Sequence, residues 1–423
     1  MGMFEEVIAQ SSRKPESLPG VLERRRTKRL PMLRSSHTSL TAHLWELELI
    51  PAFGLTRLIG DIEALTARSL ESNIFFEADV VRSAWPRLTS LLAPKGCWMM
   101  CLWETIGETR HLRLFMPIRL ARVGFPQRTV LQPLSNEFMP IGTPLLDAEC
   151  AGEATETLLR LLADPALSMP AVFDFTHQIR DGATFEKLKQ AATSLGLNHA
   201  ETLTHQRAAL FADFHRDAYP ADTVPKKSLK EYGRLLRRLG EGGKVVAACD
   251  TKSEDVLDAF EAFLTLELNG WKGRRGTALY NQKRIAAFSR QIVVELAARG
   301  RCEIHSMKRD GKLVASLILF HRNGKVVPWK IAFDEKLARF SPGVQIMLHA
   351  TRALLDRESF VCADSLAHEQ QWMINRLWPD RITITDLAIQ LSPFGTPGLD
   401  STIASKERME GWKTRAKALL RRP

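Results

Sequence analysis

Apolar-rich runs occupy Cys302–Lys308, where apolar and polar positions alternate, Leu313–Phe320, which is nearly all apolar, and Lys325–Ile331, and each reads as a strand. Asp310-Gly311 separates the first two runs, and Asn323-Gly324 separates the second from the third. Both dipeptides suit two-residue turns with positive φ, so the segment predicts an antiparallel meander. Helices precede it. In Asp255–Leu268, Val256, Phe260, Phe263 and Glu267 fall along one side, and Ile285–Arg299 is ended by Gly300. Beyond Ser341-Pro-Gly343 the pattern predicts a helix to about Asp356 and a strand at Val361–Leu366. A short helix at Gln370–Trp378 and a final strand at Ile382–Leu391 follow.

Weaker signals earlier in the chain follow a related order. Leu91–Trp103 and His111–Ile118 read as strands across a Gly107 turn, and Thr129–Pro133 as another. A helix at Ala151–Ala163, a strand at Ala171–Phe175, a helix at Thr184–Leu195 and a strand at Glu201–Leu210 come next. The two halves share an order of elements and not a residue-by-residue repeat. The expected division is a basic flexible arm at 1–48, a first domain at 49–210, a second at 211–395 and a basic amphipathic tail at 396–423. The expected class is α+β.

Length and composition allow two domains of ordinary size in a soluble protein. No apolar run reaches the roughly 20 residues that span a bilayer, and the N-terminus lacks the pattern of a signal peptide. A cytoplasmic location is expected. The six cysteines have no metal-ligand spacing and read as reduced core thiols.

Net charge is +11. The excess gathers at residues 24–34, 226–244 and 402–423, which points to an anionic partner such as nucleotide phosphates, RNA, a phospholipid surface or acidic glycans. Solvated surface cations are the plainer alternative. In Lys226–Arg238, Leu229, Tyr232, Leu235, Leu236 and Leu239 share one arc and Lys227, Lys230, Arg234 and Arg238 the other. Met409, Trp412, Ala416 and Leu419 form a stripe among cations, which fits either peripheral contact with an anionic membrane or docking on the body.

Two loops carry the chemistry. Glu267-Leu-Asn-Gly-Trp271-Lys-Gly-Arg-Arg-Gly276 sets three glycines and three cations beside a tryptophan, and Phe340-Ser-Pro-Gly-Val344 opens a helix. Glycine lets backbone N–H groups approach a bulky anion, and a helix N-terminus offers unpaired donors and positive dipole. Ser341 as an ordinary helix cap is the alternative.

With Trp329-Lys-Ile-Ala-Phe-Asp334 and Ala363-Asp-Ser365, this order resembles the acyl-CoA N-acyltransferase (GNAT) fold. Two copies in one chain resemble the Fem-type peptidyltransferases and CelD-like acetyltransferases of bacteria. Lys226–Arg238 is similar to the basic helix this family carries between its halves. Where such proteins often have His-Pro-Met-Ile-Asp, this chain has Glu369-Gln-Gln-Trp-Met-Ile-Asn375.

The resemblance implies tandem GNAT-like domains, with acetyl-CoA or another acyl-CoA as donor. Its pyrophosphate would lie on Ser341, Gly343, Val344 and Gln345. Trp271, Lys272, Arg274 and Arg275, in a Trp271–Gly276 loop expected to close over ligand, are the expected substrate contacts together with Ser365. Glu267 is the expected catalytic base, or else a surface acid paired with Lys272 or Arg274. Lys330 and Asp334 complete the expected catalytic set, Lys330 as a group that could bind an acidic acceptor, with a Lys330–Asp334 salt bridge as the structural alternative. A Cys or Ser nucleophile with His368 is disfavoured, because no nucleophile-elbow pattern surrounds Ser365 or the strand thiols.

The expected function is acyl transfer from acyl-CoA to an unidentified amine or hydroxyl acceptor, with envelope or exopolysaccharide (cellulose-type) biosynthesis as a setting. Alternatives are a Fem-like transferase using aminoacyl-tRNA and a degenerate, non-catalytic binding module.

Overall fold

The computed structural model describes residues 34–38, 44–85, 87–88, 96–369, 371–391 and 398–420. The first half contains β1 (Arg34–Thr38), β2 (Leu44–Pro51), α1 (Ile59–Ala67), α2 (Ala78–Ala84), β3 (Cys97–Ile106), β4 (Thr109–Val123), β5 (Arg128–Pro133) and β6 (Leu145–Leu146). It continues with α3 (Ala151–Leu162), β7 (Val172–Ile179), α4 (Ala183–Ser194) and β8 (His199–Phe211). A short α5 (Ala212–His215) and the basic α6 (Lys226–Glu241) follow. The second half holds β9 (Val245–Asp250), α7 (Ser253–Leu268), α8 (Trp271–Arg274), α9 (Lys283–Ala298), β10 (Cys302–Arg309), β11 (Lys312–Arg322) and β12 (Lys325–Phe333). Then come α10 (Pro342–Leu355), β13 (Cys362–Asp364), α11 (Trp372–Leu377), β14 (Asp380–Gln390) and α12 (Leu399–Leu420).

Both expected hairpins form. Asp310 and Gly311 sit at φ 49° and 77°, Asn323 and Gly324 at 49° and 74°, the left-handed pair a tight hairpin turn requires.

The strands join one mixed sheet in the order β1-β2-β3-β4-β5-β7-β14-β8-β13-β12-β11-β10-β9, with β6 beside β4. Two contacts are parallel, β5 with β7 and β12 with β13. The last strand of each half has changed places. β14 lies between β7 and β8, and β8 lies between β14 and β13. The expected boundary at 210/211 therefore falls inside β8, which pairs along its length with β14 and at Ala209–Phe211 with β13.

In the second half, Ala315, Leu317 and Leu319 of β11 share a buried cluster with Ile346, Met347 and Leu354 of α10. Helix α7 also contacts β10, β11 and β12, and α9 contacts β10. Helix α6 lies across the start of α10, where Gln345 Nε2 donates to Tyr232 O at 2.8 Å.

Two elements differ from the sequence expectation. The segment read as arm is in part strand: β2 begins at Leu44, because Trp45, Leu47 and Leu49 alternate with glutamates and are buried against β3. The remainder of that arm lies mostly outside the described residues. In α12 the docked face is not the Met409–Trp412 stripe. Thr402, Ser405 and Lys406 are buried while Trp412 is exposed. Lys406 Nζ donates to Asp174 at 2.8 Å, Asp386 at 2.9 Å and Thr202 Oγ1 at 3.0 Å, and these three strand partners hold the helix on the sheet.

Candidate active site

β12 and β13 pair only at Lys325↔Cys362 and Val326↔Ala363, and beyond these residues they diverge. A cavity of about 370 Å³ fills the opening, within the ordinary range for a ligand pocket. Pro328–Ile331 line one side, Ser365–His368 the other, and Met347 and Met373 the α10 side. Larger cavities lie beneath α6 and where the halves meet, about 490 and 510 Å³, and an open groove of about 690 Å³ runs past Asp334. The cavity where the halves meet reaches the paired ends of β12 and β13 at Lys325–Val327 and Cys362–Asp364, whereas the 370 Å³ cavity takes in Trp329, Lys330 and Ser365–His368 further along, where the sheet exposes strand ends to a ligand.

A bulge shapes the β12 wall. Ile318 faces Lys330 and Leu319 faces Pro328, so Trp329 is an extra residue and the side chains that follow are re-aimed. Trp329 stacks on Phe320 at 4.9 Å and donates its indole N–H to Phe138 O at 3.1 Å. Lys330 Nζ lies 5.0 Å from the Phe138 ring centre and 5.6 Å from that of Trp329. It has no hydrogen-bond or carboxylate partner among the described residues. Burial, helped by the nearby Lys272 charge, lowers its pKa to about 8, while Glu137 and Glu267 pull the other way.

The expected Lys330–Asp334 pair does not form. Asp334 Oδ1 instead accepts from Lys336 N at 3.0 Å and caps the 3-10 turn Glu335–Phe340. Asp334 lines a separate groove with Lys312 and Lys336.

Glu267 is 4 % exposed. Its Oε1 accepts from Lys272 Nζ at 2.6 Å and its Oε2 from Leu279 N at 2.8 Å. Each oxygen accepts one hydrogen bond from within the chain, so the carboxylate ties the 270–279 segment to α7. The expected closing loop is itself partly helical. Glu335 accepts from Trp271 N and from Arg274 Nη2, each at 2.5 Å. Arg275 lies over the Trp271 ring at 5.3 Å. A Cβ at Gly273 would meet Leu268 O at 1.6 Å, so this glycine serves close packing on α7. Trp271 stays 47 % exposed, and of the expected substrate contacts Lys272 and Ser365 reach the main cavity. Ser365 donates its N–H to Ala208 O at 3.0 Å and its Oγ accepts from Ala367 N at 3.2 Å.

At the expected donor loop, Ser341 adopts φ 53° and makes no side-chain cap; its carbonyl accepts from Val344 N and Gln345 N. Val344 is buried and the Gln345 side chain is committed to α6. A Cβ on Gly343 would lie 3.3 Å from Phe333 and 3.5 Å from Met373 Sδ, so a side chain there would crowd the edge of the cleft.

Glu137 and Phe138 were not expected. They lie in residues 134–143, a connection of the first half that reaches the second half's cleft.

With that geometry in view, residues 226–372 match the model of the acetyltransferase (GNAT) domain. The second half carries a GNAT domain. The matched stretch contains the meander, the α10 start after β12 and the parting of β12 from β13. No curated protein matches the chain in sequence. Among solved structures, the C-terminal domain of a candidate lysylphosphatidylglycerol synthetase from Agrobacterium fabrum is similar at 11% identity, covering 84% of this chain and 96% of that one, TM-score 0.49. FemX is similar at 11% identity over 78% and 95%, TM-score 0.48. A tandem GNAT protein from the clavulanic acid biosynthesis pathway is similar at 12% identity over 81% and 98%, TM-score 0.41. Among the described residues, no helix is long and apolar enough to cross a membrane.

Proposed function

We propose that the chain is an acyltransferase that moves an acyl group from acyl-CoA to an amine or hydroxyl acceptor in the cleft between β12 and β13. The observation that carries this reading is Lys330, an unpaired amine on the wall of an open cleft within a GNAT domain. At neutral pH it is mostly an ammonium ion, suited to the oxyanion that develops when the thioester carbonyl is attacked. The α10 start, with Gly343 at the cleft edge, is the proposed seat of the donor's phosphates. An amine acceptor first sheds a proton to water at the cleft mouth. Its nitrogen then bonds the carbonyl carbon, the carbon–sulfur bond breaks, and the nitrogen's second proton goes to the leaving thiolate.

Thermal shift of the full chain with acetyl-CoA tests the donor site, since a ligand of the folded state raises the melting temperature. Stabilisation by acetyl-CoA that is weakened in Gly343→Val is expected. No shift with acetyl-CoA, a longer acyl-CoA or free CoA rules the reading out.

A Fem-like reaction with aminoacyl-tRNA is supported by one feature, the exposed Lys226, Lys227, Lys230, Arg237 and Arg238 of α6. It predicts tRNA retention in filter binding with a steep salt dependence.

A further inference from the structure

Part of the cleft wall beside Lys330 belongs to the other half of the chain. Residues 134–143 are fixed there by Trp329 Nε1 on Phe138 O, and by Arg207, which donates to Pro140 O at 3.3 Å while pairing with Asp364 at 3.2 Å. Phe138 is buried edge-on against Phe288 of α9, with ring centres 6.3 Å apart. The same connection closes the first half's own parting of parallel strands. β5 and β7 pair only at Leu131↔Phe173. Just beyond, Ser135 Oγ bonds Thr176 Oγ1 at 2.7 Å, and Gly142 lies so close that a Cβ would meet Thr176 O at 1.9 Å. The connection is thus held on both sides, and Glu137 projects from it between two anchored neighbours.

Glu137 is exposed, lines the cleft, and has no hydrogen-bond or ion-pair partner among the described residues. We propose that residues 134–143 form the acceptor platform of the second half's cleft, and that the Glu137 carboxylate binds the acceptor's ammonium group. The acceptor is accordingly an amine. This rests on the acyl-transfer reading above and narrows it. The charges of the cleft divide by half of the chain: Lys330 and Lys272 come from the second half, and Glu137 from the first. Glu267, the other carboxylate felt at Lys330, has both oxygens engaged. An amine reaches the cleft as an ammonium ion at neutral pH and is drawn to an open carboxylate, whereas a hydroxyl gains little from one. Fixing the carboxylate on an anchored loop orients the acceptor before attack, which is where much of the rate advantage of a bound reaction arises.

The experiment uses the full chain, acetyl-CoA, and paired probes of similar shape: glucosamine with glucose, and 1,4-diaminobutane with 1,4-butanediol. Released thiol is followed over time. Thiol release with an amine and not with its hydroxyl partner is expected. Glu137→Gln should raise the KM for that amine by roughly tenfold or more, with the KM for acetyl-CoA unchanged. Glu137→Asp should recover part of the loss. Equal kinetics in Glu137→Gln and wild type, preference for the hydroxyl probes, or no amine-dependent release from a protein that binds acetyl-CoA each overturns the proposal alone. Absence of acetyl-CoA binding instead removes the acyl-transfer reading, and this proposal with it.

Discussion

Replacing Lys330 by methionine separates function from stability, because the two should move in opposite directions. The Lys330 ammonium lies against two aromatic rings with no carboxylate partner, and burial and Lys272 bring its pKa to about 8 against an ordinary 10.5. That gap corresponds to about 3 kcal/mol, an upper bound because the amine borders a solvent-filled cleft. The folded pKa is depressed, so below about pH 8 the charged amine costs the folded state nearly this full amount. The cost fades as pH rises from 8 to 10.5. Methionine is similar in length and apolar, so Lys330→Met should stabilise the protein at pH 7 by up to about 3 kcal/mol. It should also remove the pH-dependent rise in stability above 8 that wild type shows. Loss of oxyanion stabilisation should lower acyl transfer by roughly 10²–10³-fold, and the wild-type rate should fall above about pH 8 as the ammonium is lost. Urea titrations at pH 7 and 9.5, read by tryptophan fluorescence, give the stability, and thiol release gives the rate. A variant that is less stable than wild type at pH 7, or that transfers at the wild-type rate, refutes the reasoning.

Lys406→Met should cost about 3–5 kcal/mol, since it leaves Asp174 and Asp386 buried without their cation; adding Asp174→Asn and Asp386→Asn should recover most of the loss in the same urea titration. Gly343→Val brings a side chain against Phe333 and Met373 and should weaken acetyl-CoA binding roughly tenfold in calorimetric titration; unchanged affinity in a folded variant moves the donor site elsewhere. Burial lowers the pKa of His215, but its hydrogen bonds to Asp222 and Asp380 outweigh this and raise it above 6.5. The stability from these bonds is therefore complete below about pH 6.5 and is lost as pH rises through the raised value. The gap in urea midpoint between wild type and His215→Gln should shrink from pH 6 to pH 9.

What could be read from the sequence was set by local signals. Asp310-Gly311 and Asn323-Gly324 dictate left-handed turns whatever surrounds them, so the meander followed directly. The helix after Ser341-Pro-Gly343 was as plain, since proline suits its first turn. Less local features were hidden. The Glu267–Lys272 pair, five residues apart, was open to the sequence as an alternative, but Arg274 is paired by Glu335, 61 residues beyond it. The Trp329 bulge depends on cross-strand register and leaves Lys330 unpaired at the cleft wall. β9 gave too little signal to be recognised: its burial alternates only partly at the sheet edge, and Ala247, Ala248 and Cys249 are weak strand formers. Glu137 reaches the cleft only because the sheet joins the halves, a matter of topology that no window of sequence contains.

The exchanged strands make the two halves inseparable as polypeptides. A fragment cut to residues 226–372 would keep the meander and both cleft walls of its own half but lose β8 and β14, leaving β13, three residues long, as a bare edge. A fragment of residues 1–225 would present β7 and β8 with the slot between them, which β14 fills in the full chain, vacant. Unpaired strand edges of this kind invite association with other chains. Recognition by sequence and autonomy in folding thus have different borders here: the stretch that announces the chemistry is complete as a motif and incomplete as an object. Shuffling either half onto another partner would have to carry a matching last strand with it, so duplicated halves joined in this way are bound to change together.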